Sequence, residues 1–171
     1  MREGPSSGEL PVRGDMKSAA HKKKYFTVEE ANQMLPLVRA IVEDIVELFR
    51  DVHDRRERLS RVRQLPGASG RDEKSVYNEE LLQIEEDLDK DITKLEGYVD
   101  ELQGLGIELK DFVSGLVDFP SKMDGREVYL CWRLGEDEVG YWHELDAGFQ
   151  GRHSLLEGSV PGDGSTDDEK T

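Results

Sequence analysis

A chain of 171 residues with a single cysteine, Cys131, cannot form an internal disulfide, so a reducing, cytoplasmic setting is expected. Basic residues are scarce beside acidic ones, 23 against 38, and the formal charge of −15 disfavours nucleic acid or an anionic membrane as a partner. No apolar run approaches the ~20 residues of a membrane span, and the early HKKK stands where a secretory signal would need an apolar core. Also missing are the CxxC, HxH and HExxH spacings of metal sites, a nucleophile elbow and a phosphate-binding glycine loop. The lone Gly-x-x-Gly in GFQGR is too short a signal to stand for one. These absences favour a binding role over an enzymatic one, although the question of an enzyme stays open.

The length suits one domain with its own core. Residues 1–24, rich in Gly, Ser, Pro and charge, read as a disordered arm, and residues 157–171, EGSVPGDGSTDDEKT, as an acidic disordered tail. The folded domain is expected over 25–156.

Its first part, 27–106, reads as a long helical hairpin. Thr27 is a natural N-cap and Glu30 completes a capping box, while Pro36 lies deep enough to predict a kink or brief break. Val38, Ile41, Ile45, Leu48, Val52, Leu59 and Val62 recur at steps of three and four, interrupted by Arg55. After the breakers Pro66, Gly67 and Gly70, Tyr77, Leu81, Ile84, Leu88, Leu95 and Leu102 repeat the pattern, interrupted by Asp91. Facing Val62 with Tyr77 and Val38 with Leu102 keeps the sum of residue numbers at 139 or 140 along the hairpin. The apolar face widens only near the base, so the base needs a cover and the tip projects as a thin arm. The arginines of DRRERLSRVR stand opposite Glu79 to Asp89 and read as intramolecular charge matching.

Beyond Gly106 the period changes to alternation. Strands are expected at 115–121, 126–134 and 138–145, a three-stranded antiparallel meander packed on the hairpin base, which makes the fold α+β. In the middle strand Val128, Leu130, Trp132 and Leu134 form the core face, and Glu127, Tyr129, Cys131 and Arg133 the other. A two-residue turn at Glu136 and Asp137 then sets Leu130 against His143. His143 falls on the core face and Cys131 beside Trp142 on the far face, so Cys131 and His143 are separated. A one-residue change in that turn would bring them together. Residues 146–156 either cover the far face or leave it bare.

The opening FT-x-EEAN-x-x-LP and the ending GLVDFP, CWR-x-GE, WH and GF-x-GR together resemble the bacterial family DUF2203, of unknown function, over essentially the whole folded region. The matching positions are Gly115, Asp118, Phe119 and Pro120, then Cys131, Trp132, Arg133, Gly135 and Glu136, then Trp142, His143, Gly148, Gly151 and Arg152. The resemblance implies a fold and a residue set, and no activity.

From that set, Asp118, Arg133, Glu136, Trp142, His143 and Arg152 are the candidate binding residues for a protein partner or a small anionic ligand. Arginines suit an anion, and Trp with Arg suits a protein surface. No cofactor is expected on this reading. The alternative is a small metalloprotein or enzyme holding a divalent metal at Cys131, His143, Asp118 and Glu144, since thiolate, imidazole and carboxylate are zinc or iron ligands. The wide apolar base is compatible with a monomer or a homodimer.

Overall fold

A computed structural model of the protein describes residues 23–65 and 76–156. The expectations for the arm up to residue 22, the loop at 66–75 and the tail from 157 lie outside those residues. Two helices packed on one another and a five-stranded antiparallel sheet make an α+β domain.

Helix α1 (Val28–Gln64) starts where the capping box requires: Thr27 Oγ1 accepts from Glu30 N at 3.1 Å, and the Glu30 carboxylate accepts from Thr27 N at 3.4 Å. Pro36 does not break it. The helix runs through that position, which faces solvent, where water can serve the Asn32 carbonyl that proline leaves without a donor.

Helix α2 (Val76–Gly104) returns along α1, and the seam residues Val38, Ile45, Val52, Leu88, Leu95 and Leu102 are buried as their spacing requires. The pairing differs from the expected one. Arg55 is bonded to Asp91 and Arg63 to Glu85, while Leu59 shares a cleft with Leu88 and Ile92. Facing residue numbers therefore sum to about 147, one heptad from the expected value. A slip of one heptad returns each apolar stripe to the other, so periodicity alone cannot choose between the two pairings. The shift puts Arg55 and Asp91 in one layer as an ion pair, and it carries the first turns of α2 past the end of α1; Leu82 there, and Ile84 beside the last turn of α1, are exposed. Of the five arginines of the DRRERLSRVR stretch, Arg63 meets one of the acids expected opposite it, Glu85; Arg55 pairs with Asp91, and Arg61 with Glu57 of its own helix.

The sheet runs in sequence order: β1 (Glu108–Asp111), β2 (Leu116–Met123), β3 (Arg126–Arg133), β4 (Tyr141–Glu144) and β5 (His153–Ser154). The expected meander is β2–β3–β4, with β4 shorter than expected and a small strand added at each edge. Asp124 and Gly125, both at positive φ, close the β2–β3 hairpin in the two-residue turn that strand twist favours. Val117, Phe119, Leu130, Trp132 and Trp142 face the hairpin base and merge with Val38, Val42, Ile45 and Leu102 into one core. Gly115, at φ 69°, lets the sheet approach α1: a Cβ there would lie 2.8 Å from Val42 Cγ1.

The β3–β4 register corrects the expected one by a single residue. Leu130 faces Trp142, Tyr129 faces His143 and Cys131 faces Tyr141. Instead of a two-residue turn, residues 134–140 form a loop tied into the rest of the domain. Val139 N donates to Asn32 Oδ1 at 2.7 Å, Trp132 Nε1 to the Glu136 carbonyl at 3.0 Å, and Arg39 to the Asp137 carbonyl at 3.2 Å. Because side chains alternate with period two, the slip reverses both faces of β4. Trp142 enters the core, and His143 moves to the face turned away from the hairpin.

Candidate metal centre

On that outer face, Asp118, Cys131 and Tyr141 stand in one row across β2, β3 and β4, with Pro120, Tyr129 and His143 in the next. Asp118, Cys131 and His143 each offer one ligand atom, and the three atoms lie within 4.8 Å of one another. His143 Nε2 is 3.0 Å from Asp118 Oδ1. Burial is nearly complete: Asp118 and His143 are each 2 % exposed and Cys131 0 %.

Among the described residues no helix packs over these groups; side chains enclose them. The Tyr129 ring sits 5.4 Å from the His143 ring, and the Arg152 guanidinium lies 3.8 Å from the centre of the Tyr141 ring. Arg152 reaches this place because the turn Phe149–Gly151 and strand β5 fold residues 149–154 back along β4. Of the two alternatives left open for residues 146–156, the structure shows a partial cover, made largely by one arginine. Its guanidinium is held by both oxygens of Glu136, at 2.7 and 3.0 Å.

The protonation pattern follows from the donors and acceptors. His143 Nδ1 is 2.7 Å from the Glu144 carbonyl, which can only accept, so Nδ1 carries a proton and Nε2 is the nitrogen turned towards Asp118 and Cys131. Nε2 thus faces a carboxyl group and a thiol, an arrangement that a proton or a metal cation among them satisfies. A proton can join one pair; a metal ion can join all three.

Burial holds the Asp118 carboxyl above its usual range, with the His143 hydrogen bond and charge opposing it. Burial also pushes the Cys131 thiol up to about 12, helped by the neighbouring Asp118 carboxylate and opposed by Arg152. Such a thiol is protonated at neutral pH and a poor nucleophile as long as nothing coordinates it. A coordinated metal reverses that electrostatics and deprotonates the thiol.

The other sequence candidates lie elsewhere. The Glu144 carboxylate points to the opposite face and accepts from Arg126 at 2.6 Å, so it is not near the cluster; only its backbone carbonyl touches His143. Trp142 is a core residue, its ring tilted against that of His153 with centroids 4.7 Å apart. Arg133 is exposed, with its guanidinium 5.2 Å from the Phe149 ring, and Glu136 clasps Arg152 at the rim. Sequence reasoning missed Glu108, which β1 places directly opposite Asp118. The four residues ELKD carry three charges and no alternation, so no signal marked them as a strand.

The fold and the cluster define an α+β domain with a helical hairpin on one sheet face and a compact Asp–Cys–His site on the other. The family described as "Uncharacterized conserved protein (DUF2203)" matches residues 24–155, most of the chain, and the protein belongs to it. No curated protein and no solved structure matches the chain.

Proposed function

We propose that the protein binds a divalent transition-metal ion of the zinc class in its sheet, with Asp118, Cys131 and His143 as ligands. The observation that carries this reading is the convergence of three different ligand atoms within 4.8 Å in a site closed to solvent. Ligand distances of ~2.0–2.3 Å set the edges of a tetrahedral zinc site at ~3.3–3.8 Å, so closure on an ion needs a contraction of about 1 Å. A thiolate with an imidazole selects Zn²⁺ or a similar ion over Mg²⁺ and Ca²⁺, which prefer all-oxygen sites. The carbonyl bond to His143 Nδ1 is the outer support that ligating imidazoles commonly have.

Equilibrium dialysis against Zn²⁺ with elemental analysis tests the reading. One tightly held ion per chain is expected, with Asp118→Asn, Cys131→Ser and His143→Ala each weakening it at least tenfold. A surface with a charge of −15 also collects cations loosely, and that background should be the same in every variant. Uptake unchanged in all three variants would refute the site.

A second reading keeps the protein as an interaction module that takes a protein partner or a small anion on the same side of the sheet. It is favoured by Phe149, 37 % exposed, whose ring is met by the guanidiniums of Arg133 and Arg152 at 5.2 and 4.7 Å. Exposed Arg and aromatic groups together form the usual nucleus of a binding surface. Arg133→Ala should leave the unfolding curve unchanged and abolish partner binding; retained binding would remove this reading. Among the described residues no helix is long and apolar enough to cross a membrane.

A further inference from the structure

We propose that residues 148–155 form a latch over the metal site, fastened by the Arg152–Glu136 ion pair, and that the ion passes in and out only when this pair opens. This rests on the reading of Asp118, Cys131 and His143 as ligands. It gives a task to GFQGR, a motif that neither the core nor the ligand set uses.

That motif builds the latch. Gly148 has φ 62° and ψ −166°, a backbone conformation open in practice to glycine alone, and there the chain turns back towards the sheet. The turn Phe149–Gly151 follows, with Gly151 so near Ala147 that a Cβ on it would lie 2.6 Å from the Ala147 Cβ. Arg152 is thereby delivered above Tyr141, and its Nη2 comes within 3.5 Å of the Cys131 carbonyl. Beyond it the segment is anchored by β5 and by Leu155 N, which donates to the Gly140 carbonyl at 2.9 Å.

Between hinge and anchor, the ion pair is the main fastening. Residues 145–150 are exposed, so few apolar contacts resist their lifting. One guanidinium nitrogen, Nη2, donates to both Glu136 oxygens at 2.7 and 3.0 Å, and the two side chains are only 12 % and 18 % exposed. Glu136 is itself fixed, since its Oε1 accepts from Arg133 N at 2.7 Å. The closed state also carries a cost. Arg152 Nε is buried with no hydrogen-bond partner, and lifting the segment returns it to water. A strong catch set against an unpaired donor gives a closed state that can open.

The neighbouring sides of the site are built on firmer elements. The hairpin core lies behind the sheet, and the Tyr129 ring beside His143 stands on the central strand β3 with its hydroxyl hydrogen-bonded to Glu108. Arg152, by contrast, sits at the start of the two-residue edge strand β5. A cover that closes over the empty and the loaded site alike slows uptake and release by the same factor and leaves affinity to the three ligands.

The test follows transfer of Zn²⁺ from the loaded full chain to an excess of a chromogenic chelator. Wild type should release the ion at a rate independent of chelator concentration, because opening precedes capture. Glu136→Gln should release it about tenfold faster or more, the effect of weakening a charge-assisted hydrogen bond. Gly148→Ala adds a Cβ with nothing within 4 Å, so it strains only the backbone, and it should speed release by about the same factor. Uptake by the metal-free chains should quicken equally, so that the dissociation constant moves by less than about threefold. Glu57→Gln, which removes the same charge from the hairpin, should leave both rates unchanged. Wild-type release proportional to chelator concentration, or wild-type rates in both latch variants, would overturn the latch. So would faster release with uptake unchanged, since Glu136 would then support the bound ion instead of its passage. In these cases the three-residue site survives. If wild type holds no Zn²⁺ that Asp118→Asn abolishes, the metal reading fails and the latch with it. Circular dichroism confirms the folding of each variant; were Glu136→Gln to unfold, Gly148→Ala decides.

Discussion

His143 Nε2 lies 3.0 Å from Asp118 Oδ1, reached diagonally across β3, and both residues are sealed from water. Without a metal, this pair shares a proton in an interior that penalises either charge alone. Removing one member of such a pair leaves the other buried and uncompensated, which costs ~3–5 kcal/mol.

His143→Ala in chelator-treated protein should therefore lose about that much stability in urea unfolding. The double variant Asp118→Asn/His143→Ala should lose less than the two single variants together, by roughly 1 kcal/mol or more, because the second change removes the orphaned charge. Strict additivity would show that the two groups do not interact.

The pH profile of the chelated protein has a definite sign. The Cys131 thiol is raised from 9.0 to about 12 and the Tyr129 phenol from 10.0 to about 12, in both cases chiefly by burial. Between those values the unfolded chain has released protons that the folded chain still holds. The stabilisation is complete below pH 9 and is lost as pH rises towards 12, at ~1.4 kcal/mol per pH unit for each group. Urea midpoints should fall from pH 9 upwards and more steeply above 10, and Cys131→Ser should delay the onset to about pH 10. A profile flat from pH 8 to 11 would contradict the burial of both groups.

Leu88 is 4 % exposed in the hairpin seam and Ile84 is 41 % exposed, although one periodic stripe includes both. Leu88→Ala should cost ~2–5 kcal/mol, and Ile84→Ala no more than ~1 kcal/mol. Equal costs would restore the pairing expected from the sequence and exclude the one that joins Arg55 to Asp91.

Gly115→Ala should destabilise the protein by ~1–3 kcal/mol. The new Cβ meets Val42 Cγ1 at 2.8 Å and Leu134 Cβ at 2.9 Å, and the backbone sits at φ 69°. A neutral result would mean that the sheet and α1 can separate without loss.

Much of this fold is written in the periodicity of the chain. The capping box at Thr27, both hairpin stripes, the turn at Asp124 and Gly125, and the core faces of β2 and β3 follow from local pattern. What the sequence left open depends on contacts between distant residues. The loop at 134–140 is set by Asn32 and Arg39 of α1, some hundred residues away, and no local pattern reports them. That loop fixes the β4 register, and with it whether His143 lies in the core or beside Cys131. One local clue was available. Trp142 alternates with Tyr141 and His143, and burying a large indole rather than a titratable ring would have selected the observed face. Glu108 had no such clue, since only the pairing of β1 with β2 brings it to Asp118.

The most direct test is native mass spectrometry of the untagged protein after saturation with Zn²⁺ and brief desalting, alongside Asp118→Asn and Cys131→Ser. One retained ion per wild-type chain, absent from both variants, is the expected result. Wild type and variants with the same mass excess, whether none or several ions, would contradict a metal centre in the sheet.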